Sequence, residues 1–251
     1  MVAASAEAPR PPSTIRRLRS VPWRGRDALI AFLVPWVVLP IAVVLLLQLV
    51  APEVPGVSAY LRALNQNSPG ASFGLVIVDA VGSFVAIGYY LRKYGASLRD
   101  LGIRRFNPWR VLLYLVVILA VFGLVVGAAY WLIQLIDPSF NAAQPQTNQF
   151  TGSRFSDLSL WALVIIPPFV EESVFRGFMF PAFSKRYGVV IGAVITSVLF
   201  GFAHLQGNVS VYTFILSLVL CGLYVRTNSI IPGIALHMLN NYVAYIAMLQ
   251  K

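Results

Sequence analysis

The sequence predicts an all-α fold: a polytopic bundle of transmembrane helices. Hydrophobic residues make up 58% of the chain and charged residues only 11%, whereas a soluble domain usually carries about 25% charged residues. The apolar residues are concentrated in blocks of roughly 20, the length of a helix that spans a bilayer. Short basic clusters separate these blocks, as in multi-pass membrane proteins.

Seven apolar blocks follow one another along the chain. We predict spans at about residues 28–50, 73–91, 111–136, 158–183, 189–205, 209–225 and 230–249. Only "QGN" separates the fifth block from the sixth, so this turn is the weakest boundary. We divide the chain into a Pro- and Arg-rich tail at 1–27, predicted to be disordered, N-terminal scaffold helices at 28–157, and helices at 158–251 that carry the candidate site.

Basic residues alternate between rich and poor connections, which predicts the orientation in the membrane. The tail contains six arginines and the second loop six basic residues, whereas the first and third loops contain only Arg62 and Arg154. The positive-inside rule therefore places the N-terminus in the cytoplasm and the C-terminus outside. The same clusters explain the net charge of +10. We accordingly predict a multi-pass protein of the cell membrane that contacts lipid and binds no nucleic acid.

The fourth block contains "PPFVEESVFRGF", in which three charged residues interrupt an apolar run. Each charge costs roughly 2.5 to 3.5 kcal/mol near a bilayer centre, so these side chains must face the bundle interior. Glu172 and Arg176 are four residues apart and share a helix face, which predicts an ion pair. Glu171 points about 100° away from Glu172 and is free to face another partner.

Two prolines precede the carboxylates. Pro167 and Pro168 lack N–H groups, so the carbonyls of Leu163 and Val164 lose their helical partners. A kink at this point would widen the bundle and admit water beside Glu171.

The two histidines of the chain both fall in later apolar blocks. His204 ends "FGFAH", and His237 lies one turn before Asn241 in "HMLNN". A lone histidine in a helix is more often a packing residue than a catalyst. Here, however, the strongly polar residues are concentrated in the last four blocks, which indicates one shared site.

Glutamate, histidine and asparagine together suit the hydrolysis of a peptide bond. A glutamate can take a proton from water, while histidine and amide groups stabilise the resulting oxyanion. Glu171, His204 and His237 are also metal-ligand candidates, since two histidines and a carboxylate can bind catalytic zinc. The H-E-x-x-H signature is absent, so the residues leave zinc-dependent and metal-free chemistry both open.

Three motifs carry a resemblance to a known family. "EESVFR" matches E-E-x-x-x-R, "FGFAH" matches F-x-x-x-H, and "HMLNN" matches H-x-x-x-N. In this order they resemble the CPBP family, which comprises CAAX-type intramembrane endopeptidases and bacteriocin-processing (Abi) proteins. The resemblance covers about residues 158–249.

The resemblance implies a role for each candidate residue. Glu171 would be the general base, with His204 helping to hold the water. His237 and Asn241 would stabilise the oxyanion, and Glu172 with Arg176 would support the site. The family implies an intramembrane endopeptidase of membrane-associated or prenylated peptide substrates, with or without a metal.

Two other classes of function compete with the protease. A non-catalytic membrane scaffold or bacteriocin self-immunity protein could have the same fold. An ion-coupled transporter would also bury Glu, His and Asn, but it would usually show two related halves. The seven blocks and the one-sided polar residues argue against the transporter.

Overall fold

The computed structural model of the protein describes residues 14–66, 68–139, 158, 160–204 and 207–249. Every regular element in these ranges is a helix, and no strand occurs among them. The predicted fold class, a bundle of transmembrane helices, is confirmed.

Nine helices run through the described ranges. We name them α1 (Thr14–Ser20), α2 (Gly25–Val50), α3 (Pro55–Asn65), α4 (Pro69–Tyr94), α5 (Pro108–Ile136), α6 (161–187), α7 (Val189–Ala203), α8 (Gly207–Thr227) and α9 (Ile231–Leu249). Helix α2 includes one π-helical segment, Val34–Val38, and α6 includes two, Trp161–Ile165 and Glu172–Met179.

Four helices are long and apolar enough to cross a membrane: α2, α4, α5 and α8. They correspond to the first, second, third and sixth predicted spans. The other predicted spans are helical as well, although α6 carries the charged residues and α7 has only 15 residues. Helix α7 ends at Ala203 and α8 begins at Gly207, within the "QGN" predicted to be a turn. The count of seven spans and the cytoplasmic N-terminus remain predictions.

The centre of α6 is the most deeply buried part of the bundle. Val174, Phe175, Phe178 and Met179 have no exposed surface and pack in one hydrophobic cluster with residues of α2, α4 and α7. The segment that carries the charged motif is therefore enclosed by helices on several sides. This enclosure removes the charged side chains from lipid, as their cost in hydrocarbon requires.

The prediction of a disordered tail at residues 1–27 is wrong for its described part. Residues 14–20 form α1, and Leu18 and Trp23 are buried. Trp23 Nε1 donates a hydrogen bond to Phe178 O at 2.8 Å, and its ring stacks on the Phe178 ring at 4.6 Å. The basic composition of the tail masks these two apolar residues: Trp23 contacts Phe178 of α6, and Leu18 packs in a cluster with residues of α6, α8 and α9. Residues 1–13 lie outside the described ranges.

Helices α6 and α7 approach each other closely at a glycine. A Cβ atom on Gly192 would lie 2.6 Å from the backbone nitrogen of Ser184. On α5, by contrast, a Cβ atom on Gly123 would meet nothing within 4 Å in the part of the chain that the structure describes. Small residues therefore permit close packing at the α6–α7 hairpin but have no such role at Gly123.

We expect Gly192→Ala to lower the stability of the protein and Gly123→Ala to leave it unchanged or slightly higher. Overpacking against backbone costs about 1 to 3 kcal/mol, whereas alanine in an open helix position is favourable by up to about 1 kcal/mol. Cys221 is buried and is the single cysteine of the chain. Thermal unfolding in detergent can therefore be followed with a thiol-reactive dye. Equal melting temperatures for the two variants would contradict the close approach at Gly192.

Candidate active site

A carboxylate oxygen of Glu172 is the centre of the polar contacts in the bundle. Glu172 Oε1 lies 2.9 Å from Arg176 Nη1, and both side chains are fully buried. The same oxygen lies 3.1 Å from His237 Nδ1. The Glu172 carboxylate thus links Arg176, on its own helix α6, to His237 on α9.

Small and aromatic residues complete the surroundings of this ion pair. A Cβ atom on Gly233 would lie 2.9 Å from Glu172 Oε2, so glycine leaves the room that the carboxylate occupies. The guanidinium carbon of Arg176 lies 4.5 Å from the centre of the Phe200 ring, a cation–π contact. Sequence reasoning missed Gly233, since no local signal links it to a residue 61 positions away.

Glu171 faces the other nitrogen of the same histidine. His237 Nε2 lies 3.6 Å from Glu171 Oε2. The Glu171 side chain is 12% exposed, whereas that of Glu172 is 0% exposed. The two adjacent glutamates therefore differ in environment: Glu172 is enclosed and paired with Arg176, and Glu171 retains some access.

The contacts of His237 constrain its protons. A neutral ring that donates Nδ1–H to Glu172 presents a lone pair at Nε2. That lone pair would face the carboxylate of Glu171, which also only accepts. A proton on Nε2, or a water molecule that donates to both atoms, makes this pairing favourable.

Asn241 connects α9 to the start of α6. Its Nδ2 donates a hydrogen bond to the carbonyl of Leu163 at 2.8 Å. Leu163 lies four residues before Pro167, so its carbonyl lacks the usual helical donor. Asn241 supplies a donor to this orphaned acceptor across the helix interface.

Two further residues extend this amide network. Asn240 Nδ2 donates to Asn241 Oδ1 at 3.1 Å, and the hydroxyl of Tyr212 donates to Asn240 Oδ1. Tyr212 lies on α8 and carried no sequence signal, because its distance along the chain from Asn240 hides the contact. The network orients the Asn241 amide toward α6.

His204 lies at the C-terminal end of α7, next to the same aromatic ring as His237. Its Nδ1 lies 2.8 Å from Phe200 O. A carbonyl can only accept, so Nδ1 carries the proton and Nε2 is the basic nitrogen of the neutral ring. The centre of the Phe200 ring lies 4.9 Å from that of His204 and 5.8 Å from that of His237. Phe200 therefore positions both histidines.

The metal-ligand candidates do not form a complete ligand set. In the part of the chain that the structure describes, no three His, Cys, Asp or Glu side chains are grouped so that they could hold a metal ion. Glu171 and His237 lie together, but Glu172 beside them is already paired with the Arg176 cation. This donor set differs from the three protein ligands that catalytic zinc sites use.

The fold and the site define an integral membrane protein with a buried glutamate–histidine centre. Residues 155–243 match the family described as type II CAAX prenyl endopeptidase Rce1-like. The match confirms the resemblance that the three motifs indicate, and it contains every candidate site residue. The matched family is one of proteases, which supports a hydrolase.

A bacterial relative extends the comparison. An uncharacterised 24.3 kDa protein of Escherichia coli is 32% identical over 150 residues, which is 57% of this chain and 62% of that protein. The match thus spans about three-fifths of the length of this relative. No solved structure matches the chain significantly.

We expect Arg176→Met to destabilise the protein by about 3 to 5 kcal/mol, because it leaves the buried Glu172 carboxylate without its cation. Arg226→Met is the matched control, since Arg226 is exposed and its loss should change stability by less than about 0.5 kcal/mol. Adding Glu172→Leu to Arg176→Met should restore part of the loss. The stability of all three variants is measured by unfolding in increasing concentrations of a denaturing detergent. Unfolding is followed by the reaction of Cys221 with a thiol-reactive dye. An Arg176→Met protein as stable as the Arg226→Met protein would contradict the buried ion pair.

Proposed function

We propose that the protein is an intramembrane endopeptidase that hydrolyses a peptide bond with a glutamate-activated water. The observation that carries this proposal is the pairing of Glu171 Oε2 with His237 Nε2 at 3.6 Å. This separation is too long for a direct hydrogen bond, and a water beside the two atoms could contact both of them. The match to a family of endopeptidases supports the same reaction.

Glu171 is the general base in this proposal. A water that donates one hydrogen to Glu171 Oε2 and the other to His237 Nε2 directs an oxygen lone pair away from both. When this oxygen attacks a peptide carbonyl, Glu171 accepts the proton. The carboxylic acid that results then protonates the leaving amine, so that the carboxylate is regenerated and the peptide bond is cleaved.

Glu172 and Arg176 support the reaction through His237. The bond from Nδ1 to Glu172 holds the ring in the orientation that presents Nε2 to Glu171. The Arg176 guanidinium lies 2.9 Å from Glu172 Oε1 and is the counter-charge of this carboxylate. Glu172 is therefore a positioning residue, and Glu171 is the residue that contacts the water.

Asn241, His237 and His204 surround the reacting carbonyl in this proposal. The Nδ2 atom of Asn241 has two hydrogens and uses one on Leu163 O, so the second can stabilise the oxyanion. In the alternative in which His237 already carries a proton on Nε2, Nε2–H is the second donor to the oxyanion, and Glu171 and His204 hold the water. The Nε2 atom of His204 helps to hold the attacking water.

The proposed substrate is a membrane-associated peptide segment, of which a prenylated CAAX-type C-terminus is one example. By its name, the matched family, type II CAAX prenyl endopeptidase Rce1-like, acts on this class of substrate. A substrate in the membrane can reach a site enclosed by helices without crossing bulk water. Glu171, His204 and His237 are the candidate ligands for zinc, but the described side chains are not grouped as a three-ligand set, and the proposed steps use no metal.

We expect Glu171→Gln to lower the cleavage rate about 100-fold or more, because the amide cannot accept the proton. Asp79→Asn is the matched control: it makes the same change from carboxylate to amide in another membrane helix, α4. Purified proteins in lipid vesicles are assayed on a library of membrane-anchored peptide reporters with a C-terminal CAAX sequence, prenylated and unprenylated. Equal rates for Glu171→Gln and wild type would refute the assigned base.

A chelator separates the two forms of the mechanism in the same assay. Wild-type activity that survives a strong zinc chelator supports the metal-free route. Loss of activity that returns when zinc is added supports the metal-dependent route. Wild-type protein that cleaves no reporter in the library would favour the scaffold or self-immunity protein.

A further inference from the structure

A second polar cavity lies at the ends of several helices, apart from the glutamate–histidine centre. It has a volume of about 1160 Å³ and is lined by α1, by the connection between α4 and α5, and by the end of α8. Four arginines line it, namely Arg17, Arg99, Arg104 and Arg105, together with the single acid Asp100. The lining is therefore strongly positive.

Two of these arginines converge on one neutral acceptor. With its amide oxygen turned toward them, Asn228 accepts hydrogen bonds from Arg17 Nη1 at 2.7 Å and from Arg104 Nη1 at 3.3 Å. Asn228 has a φ angle of 56°, in the left-handed region that asparagine tolerates better than most residues. Asn228, which directly follows α8, thus places a neutral amide oxygen between two guanidinium groups.

The acid of the cavity does not neutralise these arginines. Asp100 Oδ2 accepts hydrogen bonds from the backbone nitrogen and the hydroxyl of Ser97, both at 2.8 Å. Among the described residues, no salt bridge joins any of the four arginines to a carboxylate. Among the described residues that line it, the cavity therefore keeps a net positive charge.

Hydrogen bonds of its backbone carbonyl and of its side chain fix the position of Arg104. Ser229 Oγ donates to Arg104 O at 2.8 Å, and Arg104 Nε donates to Arg99 O at 2.6 Å. Partial burial, and next the charge of Arg17, lower the pKa of Arg104. Arg104 is therefore partly removed from water and lies beside a second cation, Arg17. A bound anion would reduce the repulsion between the two.

The cavity lies where the membrane-spanning segments end. Candidate spans end at Tyr94 and Thr227, and another begins at Val111, so residues 97–106 lie at the level of lipid headgroups. Guanidinium groups bind phosphate with paired hydrogen bonds, and basic pockets between membrane helices bind anionic headgroups. We propose that this cavity binds a phosphate-bearing anion, either the headgroup of an anionic lipid or a soluble phosphate compound.

The test uses the full-length protein in detergent and compares two double variants of equal charge. Arg17→Gln/Arg104→Gln removes the converging pair. Arg92→Gln/Arg226→Gln removes two arginines that do not line the cavity. Phosphatidylglycerol is titrated and counted by native mass spectrometry, with phosphatidylcholine as the neutral lipid. Inorganic phosphate is titrated separately by thermal shift at Cys221.

We expect phosphatidylglycerol to bind the wild type and the control variant equally, and the converging-pair variant roughly 30-fold more weakly, at about a factor of five for each arginine. Stabilisation by inorganic phosphate without binding of phosphatidylglycerol would identify a soluble phosphate compound as the ligand. If neither ligand binds, or if both double variants lose binding equally, the proposal is overturned.

A second variant guards against misfolding. Arg99→Gln/Arg105→Gln changes two exposed side chains of the cavity and leaves the bonds to Asn228 intact. It should weaken phosphatidylglycerol binding while its melting temperature stays at the wild-type value. The proposal would also be overturned if this variant and a folded Arg17→Gln/Arg104→Gln protein both bound phosphatidylglycerol as tightly as the wild type does.

Discussion

The structure depends above all on the enclosed carboxylate of Glu172. Removing a carboxylate and a guanidinium from water costs several kcal/mol for each ion, and a single partner seldom offsets this. Here Glu172 Oε1 contacts both Arg176 and His237, and Phe200 covers the guanidinium. Helices α6, α7 and α9 pack together around this buried ion pair. This packing orients His237 toward Glu171.

The irregular geometry of α6 belongs to the same arrangement. Two π-helical segments flank Ile166–Glu171, and such segments often occur at functional sites. Pro167 leaves the Leu163 carbonyl without an intrahelical donor, and Asn241 supplies one from α9. A defect in one helix thus becomes a specific bond to another. It fixes the register of α9, on which His237 also lies.

Arginines inside the bundle and arginines at the helix ends have different partners. Inside the bundle, Arg176 is paired with a carboxylate and enclosed, since an unpaired cation there would be very costly. At the helix ends, four arginines line the second cavity near water, where charge is cheaper to expose, and two of them, Arg17 and Arg104, share the Asn228 amide oxygen. The interior cation pairs with the Glu172 carboxylate beside the proposed base, and the outer cations line the cavity proposed to bind an anion.

The sequence by itself determined the helical membrane class, the position of the charged motif and the contact between Glu172 and Arg176. These features follow from apolar block length and from helical spacing, which are local. It did not predict that residues 14–27 pack through Leu18 and Trp23, because their partners lie far along the chain on α6, α8 and α9. Only the tertiary structure decided that His237 contacts both glutamates, that Tyr212 and Asn240 orient Asn241, and that Arg17 meets Arg104. Each of these contacts joins residues far apart in the chain, and only packing selects them from many possible pairs.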